Sequence, residues 1–296
     1  MFAGSPTPFA PPHAPRSRLG RALLTGLLLA LAGLASGCDD DDFVICFGTI
    51  DSCYAFDDDP HLYAVGWADG AFVTVGEDYT IANSGDGESF QRRNVDCCGS
   101  LQALAWGDGK WIAAGVDGVL FSSSDSASWF YQFLPTSRTI RGAAYGASTW
   151  VLVADDGRIL HSPNAGAWEV ETIGGADLRD VAFGDDRFVA VGDGGTVLVS
   201  SDGEDWTKAS SGTGRDLRGI GFGDGLFVAV GEAGTILTSA DGFDWRAESS
   251  PVDETLQDAA YGNGLHVVVG NEGTLLTAPD AAAFVRRNAE TSRDLE

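Results

Sequence analysis

Leu178-Arg-Asp-Val-Ala-Phe-Gly184, Phe188-Val-Ala-Val-Gly192, Gly195-Thr-Val-Leu-Val-Ser200, then Asp202-Gly203 and Trp206: this stretch is one copy of a unit written six times along the chain. Its opening apolar residue recurs at Leu62, Leu101, Ile140, Leu178, Leu217 and Leu256, at steps of 38 or 39 residues. A period this regular marks a supersecondary unit that buries its core by stacking on its neighbours. Within a copy, apolar and β-branched runs alternate with Gly, Asp and Ser clusters, the pattern of short strands joined by tight turns. In the fifth copy the runs are 217–222, 226–230, 235–239 and 245–248. Gly223-Asp224-Gly225, and then Gly231 with Gly234, are expected to supply the positive φ values of successive hairpin turns. No stretch of the repeat region sustains a 3.6-residue period with caps, so helix is not expected. The expected fold is all-β, a six-bladed β-propeller over residues 62–289 with four antiparallel strands per blade.

The turn before the fourth strand carries the most specific motif. It reads Ser84-x-Asp86-Gly87-x-x-Phe90, Ser123-x-Asp125-x-x-x-Trp129, Ser162-x-Asn164-x-x-x-Trp168, Ser200-x-Asp202-Gly203-x-x-Trp206 and Ser239-x-Asp241-Gly242-x-x-Trp245, with a worn copy at Ala278-x-Asp280-x-x-x-Phe284. An Asp here can accept hydrogen bonds from its own turn while the aromatic packs between sheets. The motif resembles the Asp box, or BNR repeat, of sialidase-type propellers. Its spacing with a Val-Gly-x-x-Gly-Thr-Ile-Leu strand pair is similar to the photosystem II assembly-factor family of propellers. The resemblance covers residues 62 to about 289 and implies the fold; function does not follow from a shared fold. One Asp per turn lacks the alternating oxygen ligands of a calcium loop, so a structural turn is expected. No metal and no cofactor is expected.

Residues 1–37 are a separate object. Arg16, Arg18 and Arg21 precede an apolar run over 22–35, followed by Ser36-Gly37-Cys38, which is the layout of a secretory signal. The run is too short to span a bilayer by itself. Leu34-Ala35-Ser36-Gly37-Cys38 resembles the bacterial lipobox, although the commonest pattern has Leu three residues before the Cys, where Ala35 stands here. The resemblance implies lipidation of Cys38 and an exported protein anchored to the cell envelope, in either the inner or the outer membrane; an ordinary signal with a coincidental Cys is the alternative. Residues 38–61 then form an acidic, Cys-containing tether that opens with Asp39, Asp40, Asp41 and Asp42. Residues 290–296 are a C-terminal tail.

The formal net charge is −25, and removing residues 1–37, which hold three Arg and no acid, makes the remainder more acidic. Such a surface disfavours nucleic acid and anionic membrane patches and keeps an exported monomer soluble. Beyond Cys38 stand Cys46, Cys53, Cys97 and Cys98, an even count that suggests two disulfides in an exported protein. Three pairings exist. Links from the N-terminal segment to Cys97 and Cys98 are favoured; the competitor joins Cys46 to Cys53 and leaves a vicinal bridge.

Function should show where the copies differ. After the opening apolar residue stand Tyr63, Gln102, Arg141, Arg179, Arg218 and Gln257. The resemblance implies that the first strand is innermost, so these six approach the mouth of the central channel. Three guanidiniums on consecutive blades suit a carboxylate-bearing or other anionic ligand, including a protein segment. The competing reading pairs them with acids of the loop between strands two and three, among them Glu77, Asp155, Asp193 and Glu232. The non-catalytic platform, possible assembly factor included, stands against a sialidase-like glycan hydrolase. For the hydrolase, Arg141, Arg179 and Arg218 could mimic an Arg triad, but no Arg-Ile-Pro occurs, and Tyr145 and Tyr261 fall at packing positions. No Ser-His-Asp spacing, nucleophile elbow or phosphate loop is present. A binding platform without catalysis is the expectation.

Overall fold

The computed structural model describes residues 43–46, 53–56, 61–93, 95, 99–289 and 295. Cys38, Cys97, Cys98, the signal-like segment and the Asp39–Asp42 run lie outside these residues. Six four-stranded antiparallel sheets follow one another in chain order, each running from an innermost first strand to an outermost fourth. This is a six-bladed β-propeller. The innermost strands are Leu62–Ala68, Leu101–Gly107, Ile140–Gly146, Leu178–Gly184, Leu217–Gly223 and Leu256–Gly262. A separate antiparallel hairpin pairs Phe43–Cys46 with Cys53–Phe56, and its register sets Cys46 opposite Cys53.

The apolar core lies between blades. Five clusters each straddle one junction, as in Val189, Val191 and Val197 of blade four against Leu217, Phe227 and Leu237 of blade five. The others join blades one and two, two and three, three and four, and five and six. Alternation along each strand makes this possible, because successive side chains serve the two faces of a blade. In the second strand of blade five, Val228 and Val230 pack toward blade six while Phe227 and Ala229 pack toward blade four.

Two of the expected positive φ values are corrected. Asp224 (φ 50) with Gly225 (φ 74), and Ala233 (φ 49) with Gly234 (φ 64), occupy the left-handed region, whereas Gly223 and Gly231 do not. Those two are glycine for lack of room. A Cβ on Gly223 would lie 2.0 Å from the Tyr261 ring of the next blade, and one on Gly231 would lie 2.0 Å from the Asp216 carbonyl oxygen. The fourth strand is also shorter than the pattern suggests: in blade five it is Arg246–Ala247, and Trp245 belongs to the turn.

The Asp turns close on themselves. Asp202 Oδ1 accepts the N–H groups of Glu204 and Asp205 at 2.9 and 3.0 Å, and the Ser200 hydroxyl donates to it at 2.9 Å. Trp206 Nε1 donates to the Gly203 carbonyl at 3.1 Å, which folds the ring back over the turn. The same backbone donors hold the Asp86, Asp202, Asp241 and Asp280 carboxyls below their usual range and push Asp125 down to about 2. In blade three Asn164 accepts the same two amide bonds at 2.8 and 3.2 Å, so the turn needs an oxygen rather than a charge. Among the described residues no group of His, Cys, Asp or Glu has the layout of a metal site. We predict that Asp202→Ala lowers Tm by about 2–4 °C, whereas Asp202→Asn stays close to wild type. Equal losses in calorimetry would show that charge, not acceptor geometry, holds the turn.

Candidate functional site

The six residues singled out by comparing copies all stand on β-bulges. Along the inner strand of blade four the register passes from Leu178 opposite Gly192 to Asp180 opposite Val191, leaving Arg179 without a cross-strand position. The same skip isolates Tyr63, Gln102, Arg141, Arg218 and Gln257. A bulge turns one side chain out of the normal alternation. Six bulges at the same height round one axis make the six side chains converge. They line a single cavity of about 400 Å³, together with Asp180 and Asp258 one step further along their strands.

The loops between second and third strands are tied to this mouth. The amides of Glu77, Val116, Asp155, Asp193, Glu232 and Asn271 donate to the carbonyls of His61, Ser100, Thr139, Asp177, Asp216 and Thr255, each just before an inner strand. This brings a loop side chain beside the bulged residue 14 positions earlier. Arg141 grips Asp155 in two bonds, Nε to Oδ1 at 2.9 Å and Nη2 to Oδ2 at 3.2 Å, and its Nη1 reaches Gln102 Oε1 at 2.8 Å. Arg179 grips Asp193 with two bonds of 2.7 Å and touches Asp177 at 3.4 Å. Arg218 holds Glu232 through Nη2 at 3.0 Å and Asp216 at 3.4 Å, while its buried Nε has no partner among the described residues. Tyr63 donates to Glu77 at 3.0 Å, and Gln257 to Asn271 at 2.7 Å. The bond to Asp193 raises Arg179, and the same bond lowers Asp193.

The pairing of guanidiniums with loop acids weighed against ligand binding is therefore the geometry found. Arg141 and Arg179 are forked onto carboxylates; Arg218 is held by one nitrogen. Five carboxylates contact three guanidiniums, Asp155, Asp177, Asp193, Asp216 and Glu232. A simple anion entering this mouth meets surrounding negative charge. Tyr145 and Tyr261 are packing rings: each lies against the glycine of the preceding blade, Gly107 and Gly223, and packs at a tilt on Trp150 or His266, ring centroids 4.7 Å apart. Burial lowers His266, and its Nε2 has no partner among the described residues.

Sequence comparison missed Asp180 and Asp258. Their counterparts in the other copies are Ala64, Ala103, Gly142 and Gly219, so two acids in a column of small residues was the available signal. Asp180 accepts the N–H of Val181 at 2.7 Å and, across the blade junction, that of Ile220 at 2.9 Å. Asp258 accepts the N–H of Ala259 at 2.7 Å. Gly142 and Gly219 on the preceding blades make the room: a Cβ there would lie 2.8 and 2.6 Å from the Asp180 and Asp258 Cα atoms. Both carboxyls keep a little surface on the channel and are otherwise ringed by protein. Desolvation raises both, Asp258 to about 6 and Asp180 well above its ordinary value, with the Asp258 charge adding to Asp180.

No protein-family model and no curated protein matches the chain. Solved structures do. YCF48 from Cyanidioschyzon merolae has a TM-score of 0.63 at 16% identity, covering 79% of this chain and 87% of that one. A structure of YCF48 bound to D1 peptide gives 0.63 at 19% identity, covering 80% and 84%. The WD40 repeats of RRP9 give 0.64 at 12% identity over 83% and 82%. Identities this low show the fold alone. Within that limit, the YCF48 structures share the β-propeller fold that the repeat implied.

The buried carboxyl predicts a pH dependence. Asp258 titrates near 6 in the fold against 3.8 ordinarily, so the native state binds its proton more tightly than the unfolded chain. Stability then falls as pH rises from about 4 to about 6, and the full cost of the buried charge persists above 6. Asp258→Asn should raise Tm by about 3–6 °C at pH 7.5 and leave it unchanged at pH 4. A gain of the same size at both pH values in scanning calorimetry would contradict this assignment.

Proposed function

We propose that the propeller is a non-catalytic binding platform that takes a protein segment at the channel mouth. The observation that carries the reading is the convergence of six bulged side chains (one Tyr, two Gln and three Arg) on one cavity, in a scaffold whose other repeat positions are nearly uniform. The peptide held by a YCF48 propeller supports it at the level of fold. In the mouth, Nη1 of Arg179 and of Arg218 have no bond to described residues, so a carboxylate of the segment can be received there. The surrounding acids favour a segment that also carries a cationic or donor group. An assembly-factor-like role for a membrane complex is the biological form of this reading.

Arg218→Lys tests it. The ammonium keeps the charge and can keep Glu232, but loses the planar fork. Capture of partners from native envelope by the soluble 38–296 chain should drop about tenfold, with Tm shifted by less than about 1 °C. Unchanged capture would remove Arg218 from the site. One observation favours the sialidase-like second reading: Tyr63 bonded to Glu77 in the same cavity as three guanidiniums resembles the Tyr–Glu nucleophile and Arg triad of that family. Turnover of a fluorogenic sialoside, abolished by Tyr63→Phe, would replace the platform by the hydrolase.

The tether belongs to the same proposal. The lipobox-like 34–38 segment supports an envelope lipoprotein anchored through Cys38, with the acidic 39–42 run holding the propeller off the membrane. Among the described residues no helix is long and apolar enough to cross a membrane. Metabolic labelling with a clickable fatty acid should mark the wild-type protein and not Cys38→Ser; equal labelling of both rejects the anchor.

A further inference from the structure

Five of the six blades carry charge on their outermost strand. Arg92, Glu169, Lys208, Arg246 and Arg286, one each in blades one, three, four, five and six, stand exposed there. Charge on an open sheet edge keeps other strands from pairing with it. Blade two has no such residue. Its outer strand, Phe130–Phe133, reads Phe-Tyr-Gln-Phe and forms the edge of its four-stranded sheet. Phe130, Tyr131 and Phe133 are 67%, 44% and 74% exposed. Three aromatic rings on one short edge, facing water, mark a surface that another molecule covers.

The rings form a file. Phe121, in the third strand of blade two, lies 5.8 Å from the Tyr79 ring of blade one; Tyr131 packs on Phe121 at 5.4 Å, and Phe133 on Tyr131 at 4.7 Å. The file runs from the junction of blades one and two to the rim and ends on Phe133. On the opposite side of the strand, Gln132 Nε2 donates to the Gly166 carbonyl of blade three at 2.8 Å. The edge is therefore tied to both neighbouring blades. Its backbone has a defined phase as well. The Leu134 N–H donates inward to the Gly118 carbonyl at 3.1 Å, so strand alternation turns the amide and carbonyl of Phe133 outward.

Charge selects the occupant. At a net charge of −25, two copies of the chain repel each other over most of their surface. Between Asp125 and Asp155 the sequence has no acid, the longest such interval in the repeats, and the aromatic edge lies inside it. We propose that this edge is where two copies pair, about a twofold axis through Gln132. An antiparallel match centred on Gln132 sets Phe133 opposite Tyr131 of the second copy, and Tyr131 opposite its Phe133. The aromatic file of one propeller then continues into that of the other, as cross-strand ring pairs. The outward backbone groups of Phe133 fall in phase with this ladder. A twofold contact uses the same residues on both sides, so one unguarded edge per chain is enough to build it. A single strand edge is a small interface, which makes the dimer reversible and concentration-dependent. The contact lies on the rim and leaves the channel mouth open, so the inference is independent of what binds there. It replaces the monomer expected from net charge alone.

Photo-crosslinking of the intact purified chain carrying Phe133→p-benzoylphenylalanine tests the pairing, in an equal mixture of light and isotopically heavy chains. The expected adducts join a light chain to a heavy one and map to residues 129–134. Adducts confined to single chains, or joining two chains through other blades, overturn the proposal. Sedimentation velocity gives a second readout. Phe133→Lys places on blade two the kind of charge that the other edges carry, and should weaken association at least about tenfold while Tm shifts by less than about 1 °C. A wild-type chain that stays monomeric up to about 100 μM, or a dimer indifferent to both Phe133→Lys and Phe130→Lys, would sink the twofold edge.

Discussion

Everything in this propeller depends on how closely one blade can approach the next. The contact that sets the distance is a glycine against an aromatic ring: Gly107 under Tyr145, Gly146 under Phe183, Gly184 under Phe222 and Gly223 under Tyr261, each with space for no Cβ at all. Close-packed interiors transmit such constraints with little slack. A larger residue at any of these glycines would open the angle between two blades, and the displacement would appear at the axis as a wider channel. The mouth thus depends on packing at the other end of the same inner strands, five residues beyond the bulges. Bulged residues converge because the blades are held at one pitch, which glycine sets at four of the junctions, while Ala68 stands at the equivalent place in blade one.

This explains why the repeat was so legible and why parts of the site were not. Strand alternation, the turn residues and the period are properties of each copy alone, and they report the fold directly. The bulged positions were also readable, since Arg179 in the column of Tyr63 and Gln102 stands out among near-identical neighbours. Asp180 and Asp258 were hidden for a physical reason. An acid beside the innermost strand is tolerable only if the preceding blade leaves room and a backbone donor is aimed at it, and both are supplied from another copy, by Gly142 or Gly219 and, for Asp180, by the amide of Ile220. The Gly231 misreading has the same origin. Its glycine is demanded by a carbonyl 15 residues earlier, Asp216, rather than by its own backbone angles. Local pattern reports local conformation; it is silent on close approach.

Charge at the mouth follows a different logic from charge on the surface. Exposed ion pairs contribute little, but Arg179 and Asp193 are half-buried and joined by two short bonds, so their orientation is well fixed. An Arg fixed by its own acid is a poor candidate for bodily movement toward a ligand. It is a good candidate for presenting its remaining nitrogen in a constant place. Arg218, held through one nitrogen only, retains more freedom and more unsatisfied donor capacity. The three guanidiniums are therefore unequal, and under the platform proposal Arg218 is the one placed to receive a carboxylate.

Below them the buried acids set a second condition. Each guanidinium is already balanced by a loop carboxylate, so the charges of Asp180 and Asp258 are left largely to desolvation and to one another. At neutral pH the channel wall beneath the mouth is at least partly anionic, and it becomes neutral as these carboxyls take up protons. A ligand group that descends past the arginines would need to be uncharged or cationic, whereas one that stops at their level can be a carboxylate. Under the platform proposal, the two layers together suit a segment with polarity along its length, acidic where it meets Arg179 and Arg218 and not acidic where it faces the aspartates. A free inorganic anion satisfies the first layer and is repelled by the second. A peptide can satisfy both.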